Sequence, residues 1–270
     1  MNTTVRFLLL LAVLGLPAAA RGQVHVVGSL RRHMELAQGD ERQGEVLVHN
    51  PGTRPETVRA YLTGYRATAE GRTFYGDPVA AYRSSASWIH LAPREQEIAP
   101  GATASFHYVI RVPRNPELAG SYWSMLMVEP VDPGTLDPPK AETDRTRLGI
   151  RTVTRTGIHM ATHIGDSGSR DLKFIDRKLV HAGGSPVLQL DIENTGERYL
   201  RLALWAELFD GRGLSAGRFE GGVRGLYPAD SARVPIKLSG MPPGAYQVLV
   251  VADNGDDAVF GARYDLEIPE

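Results

Sequence analysis

Short runs of alternating apolar and polar residues dominate the sequence, and Gly, Pro, Asn and Asp separate them. The clearest in the first half are Glu45 to Asn50, Val58 to Tyr65, Ala104 to Val112 and Tyr122 to Val128. In the second half they are Val187 to Glu193, Tyr199 to Phe209, Ala232 to Leu238, Tyr246 to Ala252 and Phe260 to Ile268. Period two places successive side chains on opposite faces of a strand. Long helical patterns are missing. Many short strands at this spacing predict an all-β chain of sandwiches or barrels. Val58, Ala60, Leu62, Phe106, Tyr108 and Ile110 are expected in one core, and Leu188, Leu190, Leu202, Leu204, Val248 and Val250 in another.

The two halves repeat one design. Glu45 to Gly52 reads as a strand followed by Asn50-Pro51-Gly52, and Leu190 to Gly196 as a strand followed by Asn194-Thr195-Gly196. Ala99-Pro100-Gly101 precedes an alternating strand in the first half, as Tyr227-Pro228-Ala229 does in the second. Gly120-Ser121-Tyr122 and Gly244-Ala245-Tyr246 each enter a later strand, where a tyrosine can bond back across the end of an immunoglobulin-type sandwich. The expected architecture is two such sandwiches in tandem, over 23–165 and 166–270, the small polar stretch Gly165 to Ser169 marking the boundary. The first carries an insertion over roughly Glu70 to Glu97, with Tyr75, Tyr82 and Trp88. Asp253-Asn254-Gly255-Asp256 is a hairpin turn, because Asn-Gly tolerates positive φ. Pro235 marks its strand as an edge, and the Pro-rich stretch Glu129 to Pro139 reads as a loop, since proline lacks a ladder donor.

Residues 1–22 read as a cleaved export signal. Arg6 precedes the apolar run Phe7 to Leu16, and Ala18-Ala19-Ala20 supplies small residues for cleavage. That run is shorter than the roughly 20 residues a membrane span needs, and no later stretch is apolar enough, so no transmembrane segment is expected in the mature chain. The sequence has no cysteine, which removes disulfides, thiolate metal sites and cysteine nucleophiles together. Its formal net charge of −1 offers no basic field for nucleic acid.

Candidate chemistry is sparse. His159 and His163 are four residues apart on an alternating segment, about 13 Å along a strand, too far for one metal. The Asp253, Asp256 and Asp257 cluster lacks the calcium-loop spacing. No nucleophile elbow, phosphate loop or HExxH motif occurs. No cofactor and no catalysis are expected.

The segment Arg147 to Ile164 is more informative. Leu148, Ile150, Thr152, Ile158 and Met160 share one face, while Arg147, Arg151, Arg155, His159 and His163 share the other. Read functionally, it is an edge that accepts a partner strand at Arg147, Leu148, Ile150, Arg151, Thr152, Arg155 and Ile158. Read structurally, it is the last strand of one domain and the first of the next, with basic residues protecting an edge. Tyr122 to Val128 is apolar on both faces, so Trp123, Met125 and Met127 are either covered or an adaptable contact surface.

The run Val112-Pro113 through Gly120-Ser121-Tyr122-Trp123 to Pro130 resembles the strand F signature of PapD-like periplasmic pilus chaperones. With Ala99-Pro100-Gly101 and Gly71 to Gly76, it is also similar to the N-terminal domain of WxL-interacting cell-surface proteins. The first resemblance implies a chaperone or assembly protein that holds an extended segment of another envelope protein. The second implies a peptidoglycan-binding module, in which exposed Trp88 and Tyr82, with Trp123, would stack on sugar. Several features depart from both. Pilus chaperones anchor a carboxylate with an Arg on strand A and a Lys on strand G; here Arg31 and Arg32 match no motif, and strand G offers Arg147 and Arg151 without a Lys. The aromatic pair sits about two positions late, and Leu266 to Glu270 carries neither a membrane helix nor a basic tail.

Overall fold

The computed structural model describes residues 23–131 and 153–269. The expected export signal lies outside these residues, as do Arg147, Leu148, Ile150, Arg151 and Thr152.

Residues 25–164 form two sheets. Their strands are β1 (His25–Val27), β2 (Arg31–Leu36), β3 (Glu41–His49), β4 (Glu56–Ala67), β5 (Thr73–Gly76), β6 (Ile89–Ala92), β7 (Glu95–Ile98), β8 (Thr103–Arg111), β9 (Gly120–Pro130) and β10 (Thr156–Ile164). One sheet runs β1-β3-β8-β6 and the other β2-β10-β9-β4-β5, with β7 also on β4. The first stretch of chain therefore belongs to both sheets. β1 pairs antiparallel with β3, and β2 pairs parallel with β10. The change of sheet occurs at Gly28, whose φ of 96° suits glycine alone.

The inner faces meet in one core that contains Val46, Val58, Ala60, Phe106, Ile110, Leu126, Ile158 and Met160. Of the residues expected there, Val58, Ala60, Phe106, Tyr108 and Ile110 are buried and Leu62 is partly buried. The insertion is not a loose loop. It contributes β5, β6, β7 and the turn Ala86–Trp88, the only helical one among the described residues. Two expectations need correction. Glu129 and Pro130 finish β9 instead of opening a loop, because a proline at the last position interrupts no further ladder. Among the described residues Tyr122 makes no hydrogen bond back across the domain; its ring lies 4.7 Å from that of Trp88, with the Arg83 guanidinium 4.6 Å from its centroid.

Residues 172–268 form the second pair of sheets from β11 (Leu172–Ala182), β12 (Ser185–Asn194), β13 (Leu200–Phe209), β14 (Ser215–Leu226), β15 (Ser231–Lys237), β16 (Gly244–Asp253) and β17 (Val259–Ile268). The orders are β11-β12-β15 and β14-β13-β16-β17. All six residues expected in this core are buried there. Pro235 lies on β15, an edge strand as expected. The Asn-Gly turn joins β16 to β17, and Tyr246 donates its hydroxyl to the Pro242 carbonyl at 3.0 Å. Each half is thus a two-layer immunoglobulin-like sandwich.

Candidate functional site

The parallel register of β10 and β2 begins at His159 beside Arg31 and ends at Ile164 beside Leu36. On its other side β10 pairs with β9 along its whole length, from Thr156 beside Val128 to Ile164 beside Gly120. Among the described residues, Thr156, Gly157 and Ile158 therefore have a ladder partner on one side only, and His159 onward is interior strand. Arg155, just before β10, is exposed and bonds Glu129 at 2.6 Å across the neighbouring strand. Ile158 is fully buried in the core, so that position can offer a partner its backbone and not its side chain.

Arg31 stands where this one-sided stretch ends. The alternation of β2 sends Arg31, His33 and Glu35 to the outer face and Met34 and Leu36 to the core side. That pattern was the signal in the sequence that could have placed β2. Its outer face, with His159 on β10 and Tyr65 at the end of β4, meets Tyr199, Arg224, Tyr227 and Asp230 of the second domain around a cavity of about 160 Å³. Neither Arg31 nor Arg224 has an ion pair among the described residues. Burial first, and then the nearby guanidinium of Arg31, disfavour protonation of His33 and His159.

Tyr227 fastens the two domains. Its ring stacks on Trp123 at 4.8 Å and lies 5.8 Å from His159, 5.0 Å from Tyr199 and 6.3 Å from Tyr65. Burial pushes its phenol well above the usual range. Beside it, Asp230 accepts the Ala67 N–H at 2.9 Å, and the Ser231 hydroxyl accepts that of Ala69 at 2.9 Å. Burial raises the Asp230 carboxyl to about 7. Arg198, also buried, donates to the linker carbonyls of Gly165 and Ser167 at 2.6 and 3.2 Å, and to Glu35 at 3.3 Å.

The aromatic residues offered for sugar stacking are mostly not available. Trp88 is 7% exposed inside the first core, and Trp123 is 4% exposed beneath Tyr227. Their indole faces are already packed by protein. Tyr82 alone is open, at 60%. Met125 and Met127 are covered as well, with Gly157 so close that a Cβ there would lie 2.9 Å from the Met125 sulfur. Sequence reasoning missed His33, Arg198, Tyr227 and Asp230, whose roles exist only once the domains meet.

No family model and no curated protein matches the chain. Among solved structures, the chain is similar to the class 5 fimbriae chaperone CfaA, with 12% identity, 92% of this chain and 100% of that one covered, and a TM-score of 0.47. The E. coli chaperone DraB gives 14% identity, 91% and 98% coverage, and a TM-score of 0.41. A chain of the CsuC–CsuE chaperone and tip adhesion subunit pre-assembly complex of Acinetobacter baumannii gives 12% identity, 90% and 98% coverage, and a TM-score of 0.45.

Proposed function

We propose that the protein is an exported, non-catalytic assembly chaperone of the periplasm or cell surface. It holds an extended segment of another envelope protein against an edge that Arg147 to Ile158 would form. One observation carries this reading: among the described residues β10 has a single ladder partner up to Ile158, and one residue further the guanidinium of Arg31, which has no ion pair among them, faces the cleft. A partner strand in that lane would lie ahead of β2, parallel to β10, with its C-terminal end at Arg31. Backbone bonds would supply affinity, and Leu148 and Ile150 would set register. A carboxylate at the end of the strand would give Arg31 a counter-charge that no described residue supplies as an ion pair.

The test is capture of the native partner from envelope extract by purified protein. Ile150→Pro removes a backbone donor in mid-strand and should abolish capture, whereas Ile150→Val should bind normally. Arg31→Ala should weaken capture at least tenfold while leaving the fold intact. Wild-type affinity in a folded Ile150→Pro variant would end the strand-addition reading.

A further inference from the structure

A line of hydrogen bonds crosses the domain junction beside the cleft. Tyr199 of the second domain donates its N–H to Ser121 Oγ at 2.8 Å. Ser121 Oγ lies 2.7 Å from His163 Nδ1, and His163 Nε2 lies 3.0 Å from His33 Nδ1. Ser121 Oγ accepts from Tyr199 and keeps a second lone pair and its own proton, so it can give that proton to His163 Nδ1 or accept one from it. With both rings neutral, one proton lies between His163 Nε2 and His33 Nδ1, and either ring can be its donor. One added proton is tolerable, because the Ser121–His163 bond can reverse. A second is not: N–H would face N–H across 3.0 Å, with positive charge on both rings.

We infer that this line is an acid-operated release of the domain junction, which holds the cleft in one shape until the histidine pair takes up its second proton. The surroundings give that proton no counter-ion. His163 is buried and His33 lies open at the cavity rim. From β2 the pair faces Arg31 and Glu35, from β10 His159, and from the second domain Glu197, Arg198, Tyr199, Tyr227 and, across the cavity, Arg224. Both carboxylates are already engaged, Glu35 by Arg198 at 3.3 Å and Glu197 by Arg83 at 3.6 Å. Burial first, then the charges of His33 and Arg198, hold His163 down to about 4. Burial, with Arg31 and His33, does the same for His159. Asp230, on the other flank of Tyr227, is neutral at that pH and adds no negative charge. The line is therefore intact at neutral pH and breaks in acid. The consequence for capture rests on the chaperone reading; the response of the junction does not.

The absence of cysteine makes the test direct. Exposed Glu95 and Asp257, one in each domain, are replaced by cysteine and labelled as a fluorescence donor–acceptor pair. Energy transfer is followed from pH 7.5 to 3.5 in the free protein, with far-ultraviolet dichroism as the check on folding. The expected result is a change in transfer near pH 4 with the strand spectrum retained. His33→Asn, whose amide oxygen accepts from His163 without titrating, should abolish that change. Ser121→Ala breaks the line outright and should show the acid value already at pH 7.5. Constant transfer in the folded wild type would overturn the inference. So would an unaltered transition in His33→Asn, or wild-type transfer in Ser121→Ala at neutral pH. Since no partner is present, failure here leaves strand capture standing, and failure of capture leaves this response standing.

Discussion

Asn50 and Asn194, 144 positions apart in the sequence, make the same bonds in the two domains. Each is fully buried. Asn50 donates from Nδ2 to the carbonyls of Arg54 and Ile98 at 2.8 and 2.9 Å, and accepts the Gly52 N–H at 2.9 Å. Asn194 donates to Arg198 and Leu226 at 2.8 and 3.0 Å and accepts from Gly196 at 3.0 Å. The backbones agree too: the Asn50 carbonyl accepts from Gly101 and that of Asn194 from Ala229. A single side chain thus ties a strand end to two loops in each sandwich.

Asn194→Ala should cost the second domain roughly 3 kcal/mol, because it leaves buried carbonyls without donors. Asn194→Asp should do no better, since a carboxylate cannot donate. Urea unfolding followed by dichroism measures both.

The same equivalence exposes a strained residue. Gly101 has φ of 67°, and its counterpart Ala229 has φ of 63°. The left-handed conformation costs an L-residue about 1 kcal/mol. Ala229→Gly should therefore raise stability by up to about 1 kcal/mol, reduced by the extra freedom of glycine in the unfolded chain. Gly101→Ala should lower it, and since nothing lies within 4 Å of a Cβ there, the loss is backbone strain alone. Paired thermal melts decide the signs.

What could be read from the sequence was whatever a single sandwich dictates. Period two identified β12, β13, β15, β16 and β17 to within a few residues, and the Asn-x-Gly repeat identified the duplication. β11 escaped because a register shift between Phe174 and Asp176 breaks its alternation. β14 escaped because it is an exposed edge containing Gly217, Gly221, Gly222 and Gly225, with no apolar face to read. At the candidate site, the part of the edge over Thr156–Ile158 follows from alternation. The cleft does not, because Tyr227 and Asp230 gain their roles from a domain remote in sequence. Trp88 and Trp123 show the converse: large aromatics suggest a binding surface until the element that covers them is known.

Stability should depend on pH in two opposing ways. Asp230 titrates near 7 in the folded protein against about 4 unfolded. The folded state thus binds the extra proton, and stability falls as pH rises between those values. His159 and His163 titrate near 4 folded against about 6.5 unfolded, so stability rises with pH across that window. Asp230→Asn removes the falling component. Relative to wild type, its unfolding free energy should gain up to about 1.4 kcal/mol per pH unit between about 4 and 7. Urea titrations at several pH values would show parallel curves if Asp230 is not the group responsible.

Tyr227 should decide whether the domains unfold together. Its ring is the second domain's buried contribution to a cluster with Trp123 and Ala161, with Tyr199 packed at its edge, and the rest of that contact consists of hydrogen bonds around Ser121, Ala67 and Ala69 and the ion pairs Arg198–Glu35 and Arg83–Glu197. Removing a buried aromatic ring costs about 3–5 kcal/mol. Here that loss falls on the junction and not on either core, because Tyr227 belongs to neither main cluster. Tyr227→Ala should therefore leave both sandwiches folded but divide one cooperative unfolding transition into two. Trp123 supplies the probe, since its indole stacks on that ring and becomes solvated when it is gone. A shift of Trp123 emission to longer wavelength in the folded variant, with two calorimetric transitions, is the expected outcome. Tyr227→Phe keeps the stack and should preserve one transition. If Tyr227→Ala also unfolds in one step, the coupling resides in the remaining junction bonds of Ser121, Ala67 and Ala69 and the ion pairs of Arg198 and Arg83, and the ring is filler.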